Sequence, residues 1–195
     1  MRAILSLFII FQISFANNNE RCIVPDILLK TIKITENETS YPYFIRTNET
    51  STLKKFKNIL NGFEYKKTDD NMLIDCINIQ NCINISKSLI KNKITNLDLG
   101  LFQINYNSFK YPLDNYFDKN ISYKNACSII KEKIKLNKGK WNWGVLASYH
   151  SMTPKYNKIY KKKLINNYIK LSKQQGDNPT YNSSKIEIEN SLVMY

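Results

Sequence analysis

The sequence predicts one mostly helical α+β domain, and three observations carry that expectation. Apolar residues recur at helical spacing in six separate stretches, whereas 63–75 has no clean period and 96–100 reads as a turn into a new element. The chain of 195 residues is long enough for one sizeable core and has no internal repeat that would call for a solenoid.

The elements follow in order. Arg2, an apolar run from Ile4 to Phe11 and the small-x-small end Ser14-Phe15-Ala16 predict a secretory signal peptide over residues 1–16. The run is too short to span a bilayer comfortably, and polar Asn17-Asn18-Asn19 follows at once. Asn19-Glu20-Arg21 lacks the small and apolar residues that precede a lipidated cysteine, so Cys22 is not expected to carry an anchor. Pro25 suits the first position of a helix whose face holds Ile27, Leu28, Ile32 and Glu36. Asn48 or Thr50 is expected to cap a second helix bearing Leu53, Phe56, Ile59 and Leu60, with Gly62 as its stop. The stretch 63–75 is expected to be loop with a short strand. Ile85, Leu89 and Ile90 predict a third helix between Cys82 and Ile94. A fourth carries Ala126, Ile129, Ile130 and Ile134 and closes at 137–139. Trp143, Val145, Leu146 and Tyr149 form a fifth apolar surface, which Pro154 interrupts. Ile159, Tyr160, Leu164, Ile165, Tyr168 and Ile169 give a sixth. The folded domain is expected over 17–175, with a tail over 176–195 docked, if at all, through Leu192, Val193 and Met194.

Cleavage after Ala16 leaves 179 residues with 28 basic against 16 acidic side chains. Such a surface attracts polyanions. For an exported protein these are anionic wall polymers or lipid head groups sooner than nucleic acid, although Lys, Asn and Ile enrichment runs throughout the chain and fits solvated faces as well. Cys22, Cys76, Cys82 and Cys127 all lie in the exported part, where disulfides form. Four cysteines allow three pairings. The favoured one joins Cys76 to Cys82 across a short loop and Cys22 to Cys127 across most of the domain. No zinc-like spacing is present and the single histidine cannot complete a metal site, so neither metal nor cofactor is expected.

Three short segments carry the chemistry. The first is Ile32-Lys33-Ile34-Thr35-Glu36-Asn37, leading through Tyr41-Pro42-Tyr43. The second is Gly100-Leu101-Phe102-Gln103-Ile104-Asn105. The third runs from Trp141 and Trp143 through Ala147-Ser148-Tyr149-His150-Ser151-Met152-Thr153-Pro154. In this order the set resembles the lytic transglycosylases of goose-type lysozyme fold, over roughly residues 22–172. The Tyr149-His150-Ser151-x-Thr153-Pro154 version and the cysteine layout resemble the branch associated with secretion and conjugation machines.

That resemblance implies a lysozyme-like domain in the periplasm or outside the cell, acting as a monomer on the glycan strands of peptidoglycan. It implies cleavage of the β-1,4 bond between N-acetylmuramic acid and N-acetylglucosamine with formation of a 1,6-anhydro sugar. Glu36 matches the family's single acid/base glutamate, with Glu38 as the competitor under a one-residue slip. A general acid must hold its proton while charge develops at the anomeric carbon, and Ile32, one turn earlier, can supply apolar cover. Gln103 matches the residue whose amide meets a substrate acetamido group or hydroxyl, and Asn105 helps hold that turn. Tyr149 matches a tyrosine that orients the carboxyl group or stabilises developing charge. His150 stands where many members carry Asn, and is expected to hydrogen-bond substrate or a loop. Phe102, Met152 and Asn37 also depart from the usual Met, Gly and Ser.

Two alternatives remain open. A lysozyme-type hydrolase needs a second carboxylate, for which Asp98 and Asp75 are candidates. A glycan-binding assembly protein of a secretion apparatus, with cleavage minor or lost, is the other. Tyr41, Tyr43, Tyr106, Tyr111 and Tyr116 are candidates for stacking along a sugar groove.

Overall fold

Pro25 takes the N-cap of α1, Asp26–Glu36, in the computed structural model, which describes residues 22–174. The leader expected at 1–16 and the tail expected at 176–195 lie outside those residues. Asp26 in the first turn pairs with Lys30 at 2.6 Å, a favourable i,i+4 arrangement. Leu28, Leu29 and Ile32 bury one face. The helix stops after Glu36 because Asn37 turns extended: its side-chain amide donates to the Tyr41 carbonyl while its oxygen accepts from the Thr39 backbone and hydroxyl.

Strand β1, Phe44–Thr47, comes next. A 3-10 turn, Thr50–Thr52, leads straight into α2, Leu53–Leu60. This corrects the expected cap: neither Asn48 nor Thr50 caps α2, because the 3-10 turn satisfies its entry, and the Asn48 side chain bonds to Asp98 instead. The stretch expected as loop holds two strands, β2 (Lys66–Lys67) and β3 (Leu73–Asp75). Helix α3, Ile79–Lys91, starts three residues before the expected Cys82, since Asn78 caps it by accepting from the Asn81 amide at 3.0 Å. The expected turn at 96–100 contains strand β4, Leu97–Leu99, which pairs with β5, Ile104–Asn105. A short helix α4, Asp114–Phe117, precedes α5, Lys119–Leu136, capped by Asp118. Helix α6, Trp143–Ala147, is capped by Asn142, and Pro154 does more than interrupt it: it opens α7, Pro154–Gln174.

The five strands form one antiparallel sheet in the order β2-β3-β1-β4-β5. Alternation along the strands sorts the side chains. Ile45, Thr47, Leu97, Leu99 and Ile104 are buried, so the intervening Arg46, Asp98 and Asn105 share the other face, where register sets Arg46 opposite Asp98 and Asp98 opposite Asn105. A one-residue slip would exchange the two sets. The core continues through Ile85 and Leu89 of α3, Tyr116 and Phe117 of α4, and Ala126, Ile129 and Ile130 of α5. Helix α7 packs along α1 and α6, with Asn167 donating to the Thr35 hydroxyl at 3.0 Å beside Glu36.

All four cysteines are paired, Cys22 with Cys127 and Cys76 with Cys82. The first bond ties the entry to α1 onto α5, and the second ties the end of β3 to α3. Such bonds belong to a chain that matures in an oxidising compartment.

Candidate active site

The end of α1 delivers Glu36 into a cleft between the helices and the sheet. Two lobes, of about 600 and 320 Å³, meet at a shared centre of Glu36, Asn48, Asp98, Gln103, His150 and Tyr156. The larger lobe continues past Asn96, Asn105, Asn107, Ser108 and Phe109. The smaller continues toward Arg46, Ile159, Tyr160 and Lys163.

Glu36 is shielded: its side chain keeps 11 % of its accessible surface, and Oε1 is buried without a hydrogen-bond partner. A buried acceptor left unmatched is costly, and such atoms concentrate where a site awaits a ligand or a proton. Glu38, two residues on, is exposed and lines neither lobe. His150 Nδ1 lies 3.6 Å from Glu36 Oε1, at ion-pair distance, while the histidine side chain stays 46 % exposed. The Glu36 carboxyl beside it is the main reason that His150 holds its proton above its ordinary range, against the opposing effect of burial.

The second segment is shaped by backbone. Gly100 has φ of +74°, and a Cβ there would fall inside the carbonyl of Tyr116, so no other residue fits. Gln103 follows at φ +45°, a left-handed conformation uncommon for a residue with a side chain. Its side-chain amide donates to the Gly100 carbonyl at 2.8 Å, which fixes the fork, and Oε1 is left buried without a partner at the cleft centre. That oxygen can accept an N–H or O–H from a ligand. Asn105 is occupied otherwise. Its amide donates to Asn96 at 2.9 Å and to Asp98 at 2.8 Å, and its oxygen accepts from the Ser108 amide. It lines the larger lobe yet spends its polar groups on holding the wall.

Asp98 stands out on the sheet side. Burial pushes its carboxyl above the usual carboxylate range and the Glu36 charge adds to this, opposed by hydrogen bonds from Asn105 and Asn48. Asp75, the other candidate for a second carboxylate, lines neither lobe; its Oδ1 accepts from Tyr41 and from the Ile77 amide.

The third segment places two tyrosines near Glu36 in different ways. The Tyr149 hydroxyl donates to the Phe102 carbonyl at 2.9 Å, so its proton is committed to the second segment. The Tyr160 hydroxyl of α7 is buried without a hydrogen-bond partner, and burial followed by the Glu36 carboxyl pushes that phenol far up. Both phenols thus feel the Glu36 charge, Tyr149 from the larger lobe and Tyr160 from the smaller. The His150 ring stacks on Tyr160 with centroids 4.6 Å apart and planes 9° from parallel. Asn157 anchors the loop that carries His150, donating to the carbonyls of Gly144 and Ser151.

The tyrosines expected along a sugar groove are elsewhere. Tyr41, Tyr43, Tyr106, Tyr111 and Tyr116 line neither lobe; Tyr116 is fully buried with its hydroxyl bonded to Phe109, and the others pack among themselves or against the core. The cleft's exposed aromatic is Tyr156, 55 % exposed and shared by both lobes. Its only trace in the sequence is its place four residues before Tyr160 on one helix. Among the described residues no three His, Cys, Asp or Glu side chains gather at metal-binding range. Compared with family models, characterised proteins and solved structures, the chain matches none.

Proposed function

We propose that the chain is an exported peptidoglycan lytic transglycosylase with a lysozyme-like active site, in which Glu36 serves first as acid and then as base. The observation that carries this reading is a shielded carboxyl, with one oxygen unpartnered, at the junction of two lobes of an open cleft. A glycan strand running through both lobes would present its β-1,4 bond at that junction. Glu36 gives its proton to the departing glycosidic oxygen as the C1–O bond breaks. The resulting carboxylate then takes the proton of the muramic acid 6-hydroxyl, whose oxygen bonds to C1 and closes the 1,6-anhydro ring. Atoms and charge balance, and the carboxyl is restored.

The remaining cleft residues fit sugar recognition. Gln103 Oε1 is a free acceptor for an acetamido N–H, and Tyr156 offers a face for a pyranose ring. Lys163 brings positive charge to the smaller lobe, suited to a carboxylate of a stem peptide, while Arg46 beside it is paired with Asp70 at 2.8 Å. The family's association with secretion and conjugation machines makes such a machine the natural recruiter. A second reading is favoured by one observation: Asp98 shares the cleft centre with Glu36. If its carboxylate steadies the anomeric carbon while water attacks, the products are those of a lysozyme.

Incubating purified sacculi with wild type and Glu36→Gln tests the assignment. Wild type releases soluble fragments, and the variant binds sacculi without releasing them. Equal release by the variant would remove Glu36 from the mechanism.

A further inference from the structure

We propose that His150 and Glu36 form one proton-holding pair, in which the exposed imidazole keeps a proton in the cleft at neutral pH and hands it to Glu36 when substrate arrives. The inference deepens the acid/base reading above and rests on it.

The problem it answers is general. A lone carboxyl has lost its proton well below pH 7, yet a general acid must present one. Two ionisable groups in contact titrate as a unit, and the last proton leaves the unit, not either member. Here the contact is on the molecule: His150 Nδ1 lies 3.6 Å from Glu36 Oε1, and that oxygen has no hydrogen-bond partner to compete for a proton. The two side chains are unequal in exposure, 46 % against 11 %, so the imidazole exchanges protons with water and the carboxyl does so poorly.

The surroundings hold the pair in place. Tyr160 stacks under the imidazole, and Asn157 fixes the loop behind it. The charged and titratable groups that face the histidine are Glu36 from α1, Asp98 from β4 and Lys163 from α7. The two carboxyl groups favour the imidazolium and Lys163 opposes it. The balance lies with the carboxyl groups, and His150 is held protonated above its ordinary range chiefly by Glu36. The phenols of Tyr149 and Tyr160, which also feel the Glu36 charge, are pushed far up by burial and do not release a proton near neutrality.

Substrate then drives the transfer. Water in a cleft favours the charged form of an acid–imidazole pair. A glycan lying over Glu36 and His150 strips that water, and removing solvent favours the neutral pair of imidazole and carboxylic acid. The proton moves from Nδ1 to Oε1, and from the carboxyl to the glycosidic oxygen. The proton recovered from the 6-hydroxyl returns by the reverse path, so no proton is gained or lost over a turnover.

Because the chain has a single histidine, its imidazole gives unambiguous NMR signals. Titrating wild type and Glu36→Gln should show His150 losing its proton at lower pH in the variant; an unchanged midpoint overturns the proposal. The second arm is the pH dependence of fragment release from sacculi by wild type and His150→Gln, whose amide cannot carry a proton. With each profile normalised to its own rate near pH 5, the variant should fall about tenfold further than wild type by pH 7.5, as its alkaline limb moves down by about one unit. An alkaline limb that stays put or moves up overturns the proposal. Absence of release by wild type at every pH would instead overturn the acid/base reading on which the pair rests.

Discussion

The two walls of the cleft are built on opposite principles. On the sheet wall nearly every polar group is already matched: Asn105 serves Asp98, Asn96 and Ser108, and Gln103 is forked onto Gly100. On the helical wall Glu36 Oε1 and the Tyr160 hydroxyl are buried with no hydrogen-bond partner, beside an imidazole that reaches solvent. The sheet wall is largely a finished template, with the Gln103 oxygen left as a buried, unmatched acceptor. The helical wall keeps its polar groups unmatched. If the proposed chemistry holds, substitutions on the two walls should separate stability from activity.

The largest effect is expected on the helical wall. Glu36→Gln should lower turnover by about 10⁴-fold while leaving thermal stability close to that of wild type, because the amide keeps the shape of a shielded side chain whose Oε1 makes no hydrogen bond and loses only the long contact to a half-exposed His150. Rate and melting temperature measured on one preparation check this; loss of both would mean that Glu36 is structural. Next comes the covalent tie of that wall. Replacing Cys22 and Cys127 together by Ser should cost about 4 to 5 kcal/mol, since the bond closes a loop with a sequence separation of 105 residues. The Cys76–Cys82 bond closes a loop with a separation of only 6 and should be worth about 2 kcal/mol. Denaturant titration of the two double variants compares them directly.

The sheet wall should respond in stability first. Gly100→Ala must relieve a clash with the Tyr116 carbonyl at a positive φ, and about 3 kcal/mol of destabilisation is expected from urea unfolding. A neutral result would show that the turn can move. The smallest effect sharpens the contrast. Burial raises the Asp98 carboxyl in the folded state, so the folded form binds its proton more tightly than the unfolded form. Stability therefore falls as pH rises from the unfolded carboxyl value, about 3.9, through the raised folded value. Asp98→Asn should melt a few degrees above wild type at pH 7, with the difference vanishing near pH 4. A variant less stable at pH 7 would show that the hydrogen bonds from Asn105 and Asn48 outweigh the burial of the carboxyl.

Sequence alone reached one wall better than the other. Glu36 was legible because a helical apolar pattern ends at it and two further segments follow in a recognisable order. The helices were legible for the same reason: period 3.6 persists over enough residues to be read, as in α5 and α7. Strands β1 and β4 have four and three residues, too few for alternation to show, so the shared face of Arg46, Asp98 and Asn105 was invisible until register was known. Asn48 looked like a cap because Asn commonly is one, yet a 3-10 turn had already met that need. Tyr160 read as one more apolar residue of α7. Only the packing of α7 along α1 reveals that its phenol lies within the influence of the Glu36 carboxyl and that its ring supports His150.

The proposed reaction has one carboxyl, Glu36, break a glycosidic bond without water entering the product. Mass spectrometry of fragments released from purified sacculi measures this directly. Muropeptides ending in 1,6-anhydromuramic acid are expected, and none when Glu36 is replaced by Gln. Fragments heavier by one water, with a free reducing end, would contradict that reaction and shift the chemistry to a hydrolysis in which Asp98 takes part.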